Sequence, residues 1–268
     1  MDKQHKASID GDQWAQCVLD HGWLWNAASG EAAATLILAH GAGAPMDSEW
    51  MTDMAGRLAG LGVNVLRFEF PYMAQRRVDG VKRPPNPAAK LQECWREVYA
   101  EVRRHVAGVL AIGGKSMGGR MASLLADELG ADALVCLGYP FYAVGKPEKP
   151  RVEHLPGLKT PTLIVQGERD ALGDRAAVAG YTLSPSIEVL WLVSGDLDLK
   201  RLMASGFTLE QHLATAAGRV AAWRCRGRRR SAARRVVLAA IMPQPMSTPT
   251  AAGITAPRVG ITLPMVEP

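Results

Sequence analysis

Gly114-Lys115-Ser116-Met117-Gly118 sets a serine between two glycines, at the junction of two different sequence patterns. Upstream, Gly108-Val109-Leu110-Ala111-Ile112-Gly113 reads as a buried strand, and downstream residues 117–129 read as a helix. A Gly-x-Ser-x-Gly turn in that position is a nucleophile elbow, which lifts the hydroxyl clear of the sheet. Glycines are needed because the turn is too tight for Cβ atoms beside Ser116. The start of the helix also aims free N–H groups, and the positive end of its dipole, at charge developing near the hydroxyl. Ser116 is the candidate nucleophile.

Acyl transfer at such a serine needs two N–H donors for the developing oxyanion. The residue after the nucleophile, Met117, supplies one. The Gly-rich loop His40-Gly41-Ala42-Gly43 supplies the other, from Ala42 or Gly43. His40 stands at the end of its strand and reads as a structural hydrogen-bonding residue rather than a base. The acid comes from Gln166-Gly167-Glu168-Arg169-Asp170, a loop after a Val/Ile/Leu-rich strand and later in the chain than the serine, as the order nucleophile, acid, histidine requires. Asp170 is the preferred acid, and Glu168 is expected to point away or pair with a nearby base.

Short apolar runs must carry these loops. Strands are predicted at 35–40, 63–70, 108–113, 133–138, 160–166 and 187–193, with helices at about 48–60, 86–105, 117–129, 174–180 and 208–223 between them. Thr208-Leu209-Glu210-Gln211 has the pattern of a capping box. Residues 72–86 are polar, basic and Pro-rich, and read as a surface loop. Strands alternating with helices of these lengths imply an α/β domain of three layers, with a mostly parallel central sheet covered on both faces. The domain is expected to span residues 1–223. Residues 224–268, Arg-rich and then Pro-rich, are expected to be a disordered tail.

Four segments in order, His40-Gly-Ala-Gly-Ala-Pro-Met-Asp-Ser48, Arg67-Phe-Glu-Phe-Pro-Tyr72, Gly113-Gly-Lys-Ser-Met-Gly-Gly-Arg120 and Gln166-Gly-Glu-Arg-Asp170, resemble a small, lid-less bacterial α/β-hydrolase family. The chain is similar to dienelactone hydrolases over about residues 12–223. It also resembles the hydrolase-like domain of a subunit of a eukaryotic histone acetyltransferase regulatory complex. The resemblance implies a serine-hydrolase-type reaction on small carboxylic esters or lactones, with no cofactor. Its pattern ends in Gly-Asp-His-Asp, whose histidine is the catalytic base. This chain reads Gly195-Asp196-Leu197-Asp198, so Leu197 occupies a degenerate triad position.

Leucine cannot accept the serine proton or return it to a leaving group, and a serine hydroxyl without its base is a poor nucleophile. Loss of the triad histidine in a serine protease costs on the order of 10⁶ in turnover. Impaired activity is therefore expected, and the alternative is a non-catalytic binding or scaffold protein with a hydrolase fold. His212 is expected to be solvated or partly packed; His154 lies in the connection before the acid's strand; His5, His21 and His105 have no motif context.

Composition narrows the partners. Of 268 residues, 48% are hydrophobic and 21% charged, a balance suited to a folded domain. No apolar run approaches the roughly 18 residues of a membrane span. The opening residues have no apolar core of a secretory signal, so a cytoplasmic location is expected. Cys17, Cys94, Cys136 and Cys225 show no metal-ligand or disulfide spacing, and no metal is expected. Gly113-Gly114-Lys115-Ser116 lacks the spacing of a phosphate loop. The net charge of +5 comes from seven arginines between Arg224 and Arg235. That run lacks interleaved aromatics and argues for a solvated basic tail rather than a nucleic-acid site. The expected partner is a small ester-like molecule, and the sequence carries no signal for an oligomeric state.

Overall fold

Strands buried on both faces need apolar side chains at every position rather than at alternate ones. Ala34–Ala39, Ala133–Leu137 and Thr162–Gly167 are buried at every position, and apart from Thr35, Thr162 and Gln166 they carry no polar side chain. In the computed structural model, which describes residues 11–200 and 208–223, these runs form the middle of a seven-stranded sheet. Its strands are β1 (Leu24–Asn26), β2 (Ala34–Ala39), β3 (Val63–Phe68), β4 (Leu110–Lys115), β5 (Ala133–Leu137), β8 (Thr162–Gly167) and β9 (Ile187–Leu192). They lie in the order β1-β3-β2-β4-β5-β8-β9. Only the edge strand β1 runs antiparallel to its neighbour. A separate two-stranded hairpin, β6 (Tyr142–Ala143) and β7 (Lys146–Pro150), fills the connection between β5 and β8.

Successive strand residues point to opposite faces, so the sheet separates two cores. Ile37, Leu66, Ile112, Leu134 and Ile164 face one core, which contains Trp14, Val18, Leu91, Trp95, Val102 and Leu125. These belong to α1 (Gly11–Asp20), α4 (Ala88–His105) and α5 (Met117–Leu125). Leu36, Leu38, Val65, Val135 and Val165 face the other, which contains Met51, Met54 and Leu58 of α2 (Glu49–Gly60). Leu213, Ala217 and Val220, from a last helix over residues 209–223, complete that layer. The fold is thus the three-layer α/β arrangement. Among the described residues, no helix is long and apolar enough to cross a membrane.

The polar segment after β3 departs from expectation. Residues 71–79 are helical (α3, Pro71–Asp79) rather than loop. Pro71 stands at the first turn, where a missing N–H costs nothing, and Gly80 closes the helix at φ 72°. Tyr72 and Met73 are buried, while Arg77 pairs with both Asp47 and Glu69. One apolar turn and a short ion-pair network suffice where composition alone suggested a loop. The capping box holds: the Gln211 N–H donates to Thr208 Oγ1 at 3.1 Å, and the Thr208 N–H to Gln211 Oε1 at 2.7 Å. The expectations for residues 224–268 lie outside the described residues.

Candidate active site

Three tight backbone contacts explain the turn between β4 and α5. A Cβ on Gly114 would lie 2.7 Å from Ala39 O and from the Gly118 carbonyl carbon. One on Gly118 would lie 2.6 Å from His40 O, and one on Gly119 would lie 2.6 Å from Gly114 O. Only hydrogen fits at any of these positions. Between them Ser116 takes φ 49° and ψ −113°, a strained backbone for a residue with a side chain. Its N–H is anchored to Leu137 O at 2.9 Å, across the ends of β4 and β5. No hydrogen bond links Ser116 Oγ to another described residue.

The loop after β2 is fixed by two side chains. The Phe70 N–H donates to His40 Nε2 at 3.1 Å, so the proton sits on His40 Nδ1, which donates to Gly41 O at 2.6 Å. His40 is fully buried, and burial holds its pKa below the ordinary histidine value. With both nitrogens engaged, it is structural. The Tyr72 hydroxyl donates to Ala42 O at 2.9 Å. In a trans peptide the N–H opposes its carbonyl, so pinning Gly41 O turns the Ala42 N–H away from His40. Ala42, Ser116 and Met117 line one cavity; Gly43 is not part of its wall.

Asp170 is fully buried at the end of β8. Its Oδ1 accepts from the Leu172 N–H at 2.8 Å, and its Oδ2 from Gln166 Nε2 at 2.9 Å. Burial pushes its pKa up to about 6, with neighbouring Asp196 adding to the rise and the Leu172 amide opposing it. Gln166 is a residue the sequence reading passed over. It also accepts from the Tyr139 N–H at 2.7 Å, and so ties the acid to the end of β5. Glu168 pairs with Arg175 at 2.7 Å and accepts from the Ser194 N–H, away from Asp170.

The loop carrying Leu197 is built by contacts on every side. Asp196 Oδ1 accepts from the N–H groups of Asp198 at 2.9 Å and Lys200 at 2.8 Å. Trp50 Nε1 donates to Asp198 O at 3.0 Å. Lys115, next to the serine, pairs with the Asp198 carboxylate while its ammonium sits 5.1 Å from the Trp50 ring centre. His212 is buried, with Nδ1 2.8 Å from Leu199 O, so it braces this loop and is not solvated. A Cβ on Gly138, itself at φ 70°, would lie 3.0 Å from Leu197 Cδ1 and 3.7 Å from Asp170 Oδ2. The leucine side chain and the carboxylate therefore flank the same glycine, which follows the residue that anchors the Ser116 N–H.

Four predicted positions, the serine elbow, the 40–43 loop, Asp170 and Leu197, thus lie beyond the C-terminal ends of parallel strands of one sheet; Ala42, Ser116 and Met117 line the cavity, whereas Asp170 and Leu197 flank Gly138 and are not part of its wall. The sequence pattern described as "alpha/beta hydrolase domain" matches residues 32–224. The chain belongs to the α/β-hydrolase family. This α/β hydrolase is similar in structure to an α/β serine hydrolase without a lid from Xanthomonas campestris, at 20% identity and a TM-score of 0.54, over 78% of this chain and 88% of that one. A dienelactone hydrolase from Anabaena variabilis matches at 19% identity and a TM-score of 0.57, over 75% and 89%. Est1E from Butyrivibrio proteoclasticus matches at 16% identity and a TM-score of 0.56, over 75% and 93%. At these identities the likeness is one of fold.

Ser116 opens into a cavity of about 610 Å³ in this α/β hydrolase, walled by Met117, Met121, Pro140 and Leu172 among others. Arg120 and Arg151 are its only ionisable lining residues, and Arg120 Nε is buried without a partner. His154 binds Ser123 Oγ at 2.8 Å. Ser123 lies seven residues past Ser116, about 10 Å along the helix axis, so His154 does not serve Ser116. His21 lies in the turn just after α1 and His105 at the end of α4, and neither lines the cavity.

Proposed function

We propose that this α/β hydrolase is a serine-hydrolase-type protein for small carboxylic esters or lactones, with turnover attenuated by Leu197. The observation that carries this reading is the shared placement of Leu197 and Asp170 against Gly138. The side chain at 197 thus shares a neighbour, Gly138, with the carboxylate that would orient an imidazole there. In the reaction, Ser116 Oγ attacks the carbonyl carbon as its proton passes to water, and the N–H groups of Met117 and Ala42 hold the resulting oxyanion. Ala42 is preferred to Gly43 because it lines the cavity. The C–O bond to the alkoxide breaks as that oxygen takes a proton from water, since among the described residues no side chain is in place to return one. Water then hydrolyses the acyl-serine. Two arginines and no acid in the wall favour substrates with a negative or strongly polar group beside the reacting carbonyl.

Leu197→His tests the reading. Hydrolysis of a short p-nitrophenyl ester is expected to rise strongly, and Ser116→Ala in the same background to abolish the gain. A folded Leu197→His protein with no gain would overturn the assignment of position 197.

A second reading follows from the leucine itself. With leucine at 197 and no hydrogen-bond partner on Ser116 Oγ among the described residues, the cavity would serve to bind rather than turn over. That reading expects tight binding of an ester-like ligand by the unaltered chain, without hydrolysis and without labelling of Ser116 by a fluorophosphonate.

A further inference from the structure

On the face of the molecule formed by α1 and α4, two residue pairs meet. Cys17 on α1 stands four residues before His21 in the turn that follows the helix, and Glu101 and His105 stand one turn apart on α4. At that spacing Glu101 and His105 share one helix face. The pairs are 84 residues apart in the chain, which is why cysteine spacing carried no metal pattern. Trp14 packs against the His105 ring at 5.3 Å between centres and fixes the approach of the helices.

A single oxygen, Glu101 Oε1, faces both other groups. His105 Nε2 lies 3.3 Å from it and Cys17 Sγ 3.7 Å. The sulfur, nitrogen and oxygen all fall within 4.8 Å of one another. The imidazole contact is longer than an ordinary hydrogen bond, about 2.7–3.2 Å. Both spacings match those between neighbouring ligands of a tetrahedral zinc ion, about 3.3–3.7 Å for bonds of about 2.0–2.3 Å. The other carboxylate oxygen, Oε2, is held by Arg104, which leaves Oε1 turned inward. His21 Nδ1 is 3.8 Å from Cys17 Sγ but also 2.9 Å from Cys17 O, so His21 is spent on the end of α1 and the fourth position falls to solvent.

We propose that Cys17, Glu101 and His105 form a binding site for a divalent transition-metal ion, with zinc as the best fit. One thiolate, one imidazole and one carboxylate are a ligand set of intermediate softness, which suits Zn²⁺ rather than Mg²⁺ or Ca²⁺. Binding converts the Cys17 thiol to a thiolate and releases its proton to solvent. The ion joins α1 to α4. It is remote from the cavity: Glu101 is ten residues beyond Leu91, the nearer of the two α4 residues in the cavity wall, or about 15 Å along the helix. The site is therefore structural, and it stands or falls independently of any hydrolase activity.

The test uses the untagged full-length chain carrying Cys94→Ser and Cys225→Ser, stripped of metal and titrated with Co²⁺. One Co²⁺ per chain is expected, with a thiolate-to-cobalt charge-transfer band in the near ultraviolet and the intense visible bands of tetrahedral cobalt, all lost on adding Zn²⁺. Cys17→Ser should remove the charge-transfer band and weaken Zn²⁺ binding by more than the roughly 10–100-fold that loss of an outer-shell partner costs. His105→Gln should weaken binding similarly but keep the band. Absence of the band before Cys17 is altered, or its survival in Cys17→Ser, overturns the site. Should Cys17→Ser fail to fold, alkylation of Cys17 by iodoacetamide decides: Zn²⁺ must slow it several-fold, and an unchanged rate overturns the proposal.

Discussion

At position 197 a leucine flanks the same glycine, Gly138, as a buried carboxylate, and the missing imidazole has measurable consequences. A histidine there would donate an N–H to Asp170 and stabilise its charged form. Without it, burial raises the Asp170 pKa from 3.8 to about 6. The sign follows directly. Between those values the folded chain binds more protons than the unfolded one, so stability falls as pH rises. By pH 7 the charged carboxylate costs about 3 kcal/mol, and at pH values below 3.8 the cost vanishes. Urea unfolding of the wild type and Asp170→Asn at pH 4 and pH 7 checks this. The wild type should lose about 2 kcal/mol relative to the variant over that range, because part of the cost is already present at pH 4. A flat difference would mean Asp170 is solvated in the folded state. In Leu197→His the Asp170 pKa should drop, and ester turnover should rise by about 10²–10⁴-fold, the usual contribution of a positioned base.

Among the elements, the sheet's centre tolerates no side chain at some glycines, whereas a helix surface accepts one. A Cβ on Gly113 would lie 2.2 Å from Val135 O, backbone of the adjacent strand, which cannot yield without parting β4 from β5. Gly113→Ala is expected to destabilise by about 3 kcal/mol, at the upper end of overpacking costs. Gly56 is the contrast: it lies exposed within α2, where an added Cβ would meet nothing within 4 Å. Gly56→Ala should stabilise by about 0.5–1 kcal/mol, since alanine gives up less backbone freedom in a helix. Denaturant midpoints with unchanged slopes would report both effects, and similar losses for the two would contradict the packing argument. The same contrast explains what sequence could tell. Apolar runs declared the central strands because burial on two faces demands them. Helix α3 went unseen because its buried side amounts to little more than Tyr72 and Met73, and its ion pairs reach outside the helix to Asp47 and Glu69.

For the whole molecule, legibility followed distance along the chain. The elbow, the 40–43 loop and Asp170 each announced themselves within a few residues, because turn chemistry is local. Gln166 as the support of Asp170, Lys115 as the tether of the Leu197 loop, and the meeting of Cys17 with Glu101 and His105 are products of the closed fold, and no local pattern encodes them. Charge is the one global property read directly from sequence, and it divides the chain unevenly. Residues 224–268 hold eight arginines and one acid, whereas the net charge of the whole chain is +5, so the first 223 residues are slightly acidic. Attraction to a polyanion is sequence-independent and falls steeply with salt, so it should reside in that segment alone. A chain ending at Trp223 should therefore elute from heparin at far lower salt than the full chain. It should also keep its melting temperature and, with Leu197→His, its ester turnover. Equal elution of the two chains would place a basic surface on the hydrolase domain instead, with Arg120 and Arg151 at the cavity the first residues to test.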